Sequence, residues 1–236
     1  MLDSQSWPYL ESGMWVFITF IAYMCALYIF RFSKNNLMFH PIVIAALMVA
    51  GLCIASNTSF ADYALYSSPM GWLLGPITVA LAVPVYQQLQ YLIAAGWRGF
   101  WVVLCGGILA PVFTILIMSL GEFSTDIKLS SLTKSITTPL AIDTANLIGG
   151  VPELAAAIVI ITGLMGVLLS RLIFKLTDNN DQRAQGLILG TIAHAIGTSH
   201  ALQLSQKAGV YSSLALCING LVTAIVLPLF FYFFGA

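Results

Sequence analysis

The sequence predicts an all-α polytopic membrane protein with about seven transmembrane segments of roughly 20 residues each. A re-entrant hairpin is expected between two copies of an interrupted helix, the copies forming an inverted repeat. Three observations carry this expectation. Hydrophobic residues make up 59% of the chain and charged residues 8%, against about 25% charged in a soluble domain. Mean hydropathy is +0.94. Two segments, 71–89 and 186–204, read as versions of one another, with identities at Gly71/Gly186, Leu74/Leu189, Gly75/Gly190, Ile77/Ile192, Ala80/Ala195, Gln88/Gln203 and Leu89/Leu204. Both carry helix-breaking residues in their middle, and interrupted apolar segments at matching places in two halves point to a transporter binding site.

From the N-terminus, the first span is expected at 14–31, ending on Arg31 with Lys34 just beyond, and the second at 40–56. A short loop with Asp62 follows. The first interrupted segment covers 71–95 and is broken at Gly75-Pro76 and again at Pro84, because proline removes a backbone donor and clashes with the preceding turn. A full span follows Arg98 at 98–120. Residues 121–150 differ: Ser-Leu-Thr-Lys-Ser-Ile-Thr-Thr-Pro at 131–139 is too polar for a lipid-facing helix. Thr138 followed by Pro139 predicts an N-cap and a proline at the first helical position, and Gly149-Gly150 predicts the stop. The helix between them is about 10 residues, or roughly 15 Å, half a membrane deep. A span at 152–175, the second interrupted segment at 186–206 and a last span at 209–235 complete the chain. One membrane domain is expected over 1–236, with a first repeat at 40–121, the hairpin at 122–150 and a second repeat at 151–236.

Basic residues in short loops set orientation. Arg31, Lys34, Arg98, Arg171, Lys175 and Arg183 are expected in the cytoplasm, which requires 121–150 to enter and leave on the outer side. The two triplets of spans are then inverted copies, with the N-terminus outside and the C-terminus cytoplasmic. The N-terminus lacks a basic region before its apolar run, so a cleaved signal peptide is not expected. No Arg-rich transit segment is present, which favours a bacterial plasma (inner) membrane. Zero net charge gives no reason to expect a nucleic-acid partner. Cys25, Cys53, Cys105 and Cys217 lie in apolar stretches without metal-ligand spacing. No nucleotide motif, nucleophile triad or metal signature suggests an enzyme, a cofactor or a metal. Asp143 and Glu153 lack the context of an intramembrane aspartyl protease.

Polar groups inside a membrane are costly and usually face a cavity or another helix, and three clusters qualify. Lys134, Ser135, Thr137 and Thr138 stand at the start of the half helix, where free backbone donors and the positive dipole end favour an anion; an ordinary outer loop with a capped helix is the alternative. The second cluster is Gly190, Thr191, His194, Gly197, Thr198, Ser199 and His200. Gly197 permits an unwound turn, and Thr198 or Ser199 is placed to cap a second half helix. His194 and His200, six apart, do not share a helical face and are not a metal pair. His194 is either a packing residue or a ligand of substrate or proton, its ordinary pKa lying near working pH. The third cluster is Asp143, Asn146 and Glu153; Asp143 is open to pairing with Lys134 or to carrying a coupling proton. Gln87, Gln88 and Gln90 either line a cavity or bond between helices.

At Lys-Ser-Ile-Thr-Thr-Pro-Leu-Ala-Ile-Asp (134–143), Ile-Gly-Gly-Val-Pro (148–152) and Gly-Thr-Ile-Ala-His-Ala-Ile-Gly-Thr (190–198), the chain resembles the LrgB/CidB family. Leu-Gly-Pro-Ile-Thr-Val-Ala-Leu-Ala-Val-Pro (74–84) and Ser-Ser-Leu-Ala (212–215) match too. The resemblance covers roughly 40–235. It implies a bacterial inner-membrane protein, often described as antiholin-like or as a murein hydrolase export regulator, that often works with a small LrgA/CidA-type membrane partner. A plastid relative is a glycolate/glycerate translocator, and bacterial relatives are linked to pyruvate movement. By motif position the family's residues fall on Lys134, Ser135, Thr137, Thr138, Pro139, Gly190, His194, Gly197 and Thr198. Two departures stand out: Asp143 where relatives often carry Glu, and His200 where they often carry Arg or Lys.

Together these features lead us to expect a secondary carrier for a small monocarboxylate of the pyruvate, lactate or glycolate type. The expected binding residues are Lys134, Ser135, Thr137, Thr138, His194, Thr198 and His200. The expected hinges are Gly75, Pro76, Pro84, Pro139, Gly190 and Gly197, with proton coupling at Asp143 or His194. The alternative is a holin-like or antiholin-like regulator of murein hydrolase export and autolysis that transports nothing itself. The lipid bilayer is the expected surrounding partner, and a homo-oligomer is open.

Overall fold

The computed structural model describes residues 7–80, 83, 86 and 89–234, and its regular structure over these residues is all helical. Four helices are long and apolar enough to cross a membrane: Leu10–Phe32, Gly99–Ser119, Pro152–Leu176 and Gln206–Phe234. A bent pair, Pro41–Ala55 and Phe60–Tyr66, turns through 116° and makes a fifth candidate. Among the described residues the expected seven spans therefore become four or five. The chain divides into two compact units, Met1–Ile77 and Thr78–Ala236.

In the first unit, α1 (Trp7–Phe32) lies against α2 (Pro41–Ala55). Trp15, Ala22 and Ala26 on α1, and Pro41, Ala45 and Val49 on α2, are buried; small side chains let two membrane helices approach closely. Ser59 caps α3 (Phe60–Tyr66) by accepting from the Asp62 amide at 3.1 Å. Tyr63 on α3 returns to α1, its ring edge-on to Trp15 and its hydroxyl 3.1 Å from Thr19 Oγ1. The short helices α4 (Ser68–Trp72) and α5 (Leu74–Ala80) follow. The break between them falls at Leu73, immediately before Gly75-Pro76 in the first turn of α5. Pro84, Gln87 and Gln88 lie outside the described residues.

The second unit contains α6 (Leu89–Ser119), α7 (Thr125–Ser131), α8 (Thr138–Leu147), α9 (Pro152–Leu176), α10 (Gln182–Leu204) and α11 (Gln206–Phe234). Its first hairpin runs over 125–147: α7 ends at the base, beside Val151 at Ser130, the segment 132–137 leads to the tip, and α8 returns. The stop at Gly149-Gly150 is a Schellman motif: Gly149 takes φ +83°, its amide donates to the Asn146 carbonyl, and the Gly150 amide donates to the Ala145 carbonyl at 2.7 Å. Ser130 closes the base by accepting from the Val151 amide at 2.8 Å and donating to the Val151 carbonyl at 3.2 Å. Leu132 and Ile148 pack on Leu227 near this base, whereas Ile136 and Ala141 pack on Val159 at the tip. The chain thus enters and leaves at one face, called upper here.

The second interrupted segment does not cross. Within α10, His194 takes φ 40° and ψ −128°, and the chain reverses there. A Cβ on Gly197 would overlap the Leu189 carbonyl, eight residues earlier, a separation of about 12 Å in a straight helix. The outer end of each arm meets the start of α11: Gly186 abuts the Ala208 carbonyl, and Gly209 abuts Leu202. The arms therefore form a second hairpin that enters and leaves at the lower face. The physical reason is polarity: Gln182, Arg183, Gln185, Thr191, His194, Thr198, Ser199, His200 and Gln203 make α10 a poor lipid-facing span but an acceptable protein-packed one.

α11 rises from the base of the second hairpin at Ala208, past both tips at Asn219, to the base of the first at Leu227. α6 meets Thr191 and Asn219 at Gly106 and Gly107, meets Lys134 at Ala110 and Thr114, and ends shortly before α7. α6 and α11 thus run in the same sense. The inverted order expected from loop charges needed 186–206 to cross, which it does not. The loop 177–181 lies at the end of the second unit opposite Phe234, whereas the expectation put the Arg171–Arg183 loop and the C-terminus on one side.

Cysteines placed singly at Arg183 and Gln206 in a cysteine-free background should react with an impermeant thiol reagent from the same side of the membrane. Reaction from opposite sides would restore a crossing α10.

Candidate functional site

The two hairpin tips come from opposite faces and meet beside α6 and α11. Asn219, 1% exposed within the apolar α11, donates from Nδ2 to the Ser135 carbonyl at 2.7 Å on one tip and to the Thr191 carbonyl at 3.0 Å on the other. Thr223 Oγ1 lies 3.5 Å from Asn219 Oδ1. A Cβ on Gly107 would overlap Asn219 Oδ1, so a larger residue there would displace the amide. In the same helix, Pro111 lacks the amide that would bond the Gly107 carbonyl.

At the first tip the N-cap of α8 is Thr137, not Thr138 as expected. Thr137 has extended backbone (φ −66°, ψ 148°), Thr138 is the first helical residue and Pro139 the second. Both proline placements suit a first turn, where the missing amide costs no helical bond. The Thr137 side chain does not cap: its Oγ1 is buried without a hydrogen-bond partner among the described residues. Lys134 reaches sideways to α6 and donates from Nζ to Thr114 Oγ1 at 2.7 Å and to the Ala110 carbonyl at 3.3 Å. Among the described residues no carboxylate lies within 4.0 Å of it. Asp143 is exposed on the other face of α8, whose buried side is Ala141, Thr144 and Ala145, so the Lys134–Asp143 pairing left open by the sequence is absent.

At the second tip the reversal sits at His194 rather than Gly197. His194 is 2% exposed, and its Nε2–H donates to the Val159 carbonyl at 3.0 Å. That bond leaves the lone pair of the neutral ring on Nδ1. Gly190 and Gly197 are packing positions: Gly190 abuts the Ser212 carbonyl and Gly197 abuts the opposite arm. Thr198 Oγ1 donates to the His194 carbonyl and lies 2.9 Å from Ser212 Oγ, fixing the returning arm to α11. His200 stands apart. It is six residues, or about 9 Å along the returning arm, from the tip, and its Nε2 accepts from Arg171 Nε at 3.4 Å. Of the expected binding residues, the structure gathers Lys134, Ser135, Thr137, Thr138 and His194 at the tips, and places Thr198 and His200 along the returning arm.

Asn219 was missed by the sequence reading. The available signal was an amide inside a long apolar run, Ala-Leu-Cys-Ile-Asn-Gly-Leu-Val (215–222), which marks a partnered intramembrane polar group. Attention to titratable residues passed over it.

Chemically, the tips bring together two helix N-termini. α8 has ten residues, and the returning arm of α10 over 195–204 is as long. Each leaves backbone N–H groups without intrahelical partners and carries about half a positive charge. The Lys134 ammonium and the unpartnered Thr137 hydroxyl add side-chain donors at the first tip, while the C-terminal end of the first arm of α10 brings carbonyl acceptors to the second. The described residues contain no cluster of three or more His, Cys, Asp or Glu that could hold a metal ion.

The profile of the LrgB-like family matches residues 19–233. An uncharacterized protein of Haemophilus influenzae is 32% identical over 233 residues, covering 94% of this chain and 96% of its own length. Proteins named antiholin-like protein LrgB from Bacillus mycoides and Bacillus cereus are 27% and 26% identical over 220 residues, covering 93% of this chain and 96% of theirs. No solved structure matches the chain.

Gly190→Ala should lower thermal stability by about 1–3 kcal/mol, the usual cost of overpacking, because the new methyl meets the Ser212 backbone, which has no side-chain freedom to move aside. Gly51→Ala, where a Cβ meets nothing within 4 Å, should be neutral or slightly stabilising. Equal melting temperatures for Gly190→Ala and the unaltered protein would remove the close contact between α10 and α11.

Proposed function

Since this chain belongs to the LrgB-like family, we propose that it is a bacterial inner-membrane carrier for a small monocarboxylate, with its anion site between the two hairpin tips. The observation that carries this is the opposition of two half-helix N-termini beside Lys134, a lysine whose ammonium meets only neutral oxygens among the described residues. A carboxylate accepts hydrogen bonds from such termini, from Thr137 Oγ1 and from Lys134, and one negative charge balances the lysine. Short hairpins that stop at mid-depth suit a carrier, because each blocks the path from one face only. Proton coupling falls on His194 Nδ1 in this scheme; Asp143 on the outer side of α8 is the weaker candidate. Arg171, Lys175, Arg183 and Lys207 gather at the lower face, which by charge bias is the cytoplasmic one, and the C-terminal end of α11 is then outside.

The name antiholin-like, which the Bacillus relatives carry, favours a second reading; in it we place the regulator of murein hydrolase export and autolysis, with a small LrgA/CidA-type partner and no transport of its own, that the motif resemblance implies. Uptake of labelled pyruvate, lactate and glycolate into proteoliposomes of purified protein separates the two. Accumulation above protein-free liposomes supports the carrier. None with all three substrates, on either side of an imposed proton gradient, leaves the regulator.

Within the carrier, Thr137→Val should weaken substrate affinity about 10- to 150-fold, the loss of one hydrogen bond to a charged group of about 1.5–3 kcal/mol. Lys134→Met should be worse, since the bound carboxylate loses its counter-charge. Wild-type affinity in both variants would move the site away from the first tip.

A further inference from the structure

We propose that Asn219 is a positioning residue that clasps the two hairpin tips together, so that their N-termini act as one site rather than two. The hairpins enter from opposite faces and share no covalent neighbour at mid-depth. The described hydrogen bonds that reach both tips from a single side chain are those of Asn219 Nδ2, at 2.7 Å to Ser135 on the first tip and 3.0 Å to Thr191 on the second. A primary amide has two N–H groups on one nitrogen, and here both are spent on backbone carbonyls left over at a helix break. Both acceptors are backbone atoms next to the functional side chains: Ser135 adjoins Lys134 and lies two residues before Thr137, and Thr191 lies three before His194. The geometry around the amide is prepared on its other side as well. Gly107 leaves room for Oδ1, and Asn219 itself is 1% exposed, so water does not replace its bonds.

Burial makes the clasp strong while it is intact, because an unsatisfied carbonyl at mid-membrane is costly. It also makes the tips interdependent. Moving one hairpin breaks one of two bonds on a single nitrogen and frees the amide plane to turn. A ligand that orders one tip therefore orders the other through Asn219. The ligand part of this inference rests on the anion-site proposal above; the clasp does not.

The test is hydrogen–deuterium exchange on the full chain in lipid nanodiscs, with and without pyruvate, comparing the native protein with Asn219→Ser and Asn219→Leu. Serine keeps a polar group in a smaller volume, and leucine fills the volume without a donor, so at least one variant should fold. In the folded variant, peptides over 132–140 and 188–197 should both exchange faster, by about 3- to 10-fold for a lost hydrogen bond, while peptides over 155–170 stay unchanged. Faster exchange at one tip alone, or at neither, overturns the clasp. Faster exchange along 155–170 to the same degree also overturns it, since Asn219 would then be a general packing residue. In the native chain pyruvate should slow both tips, and in the variants at most one. If pyruvate slows neither tip in the native chain while the variants loosen both, the clasp stands and the anion site falls.

Discussion

A backbone broken inside a membrane must satisfy its own polar groups, and the second unit is organised around that requirement. Each hairpin turns at mid-depth, where water is not freely available to freed carbonyls and amides. The protein meets such acceptors with side-chain donors from a neighbouring helix, Asn219 of α11 reaching the Ser135 and Thr191 carbonyls, and His194 at the second turn is itself held by the Val159 carbonyl of α9. At the first tip the Thr137 hydroxyl is buried without a partner among the described residues, and Lys134 stands near it in contact with neutral oxygens.

Lys134 extends the same logic. On a lipid-facing helix its charge would be very costly. Here it leans across to α6 and binds Thr114 Oγ1 and the Ala110 carbonyl, one turn from the Pro111 irregularity. Neutral oxygens solvate an ammonium without neutralising it. The positive charge is therefore retained next to the tip rather than consumed in an ion pair, unlike Arg183, which pairs with Asp181 at an exposed loop.

Much of this was legible in the residues. The half-length helix ending at Gly149-Gly150 follows from glycine's freedom at positive φ, and the structure ends α8 there with both Schellman bonds. The polar run 131–139 marked a segment that lipid would not accept. Glycine was also where reading failed, because it signals two different things. At Gly190 and Gly197 it permits close backbone approach, and the reversal occurs instead at His194, a non-glycine residue at φ 40°. The strain of about 1–3 kcal/mol in such a conformation is carried by contacts far along the chain, at Val159, Leu189 and Ser212, which sequence spacing does not reveal. A hairpin and a crossing helix of similar length have similar composition, and only the contacts of their ends separate them. The N-cap slipped from Thr138 to Thr137 because proline suits either of the first two helical positions.

The depth of the hairpins has an electrical meaning. α8 and the two arms of α10 are each about 15–18 Å long, so the tips they reach would stand near the middle of a hydrocarbon layer about 30 Å thick. A monovalent anion held between them has crossed about half of any voltage across the membrane, worth roughly 1 kcal/mol per 100 mV at 2.3 kcal/mol for a full crossing. In one direction both entry and exit are opposed by about that amount, and in the other direction both are assisted by it. For the proposed carrier, a site at the meeting of the two hairpins would divide the electrical work of moving an anion into two nearly equal steps.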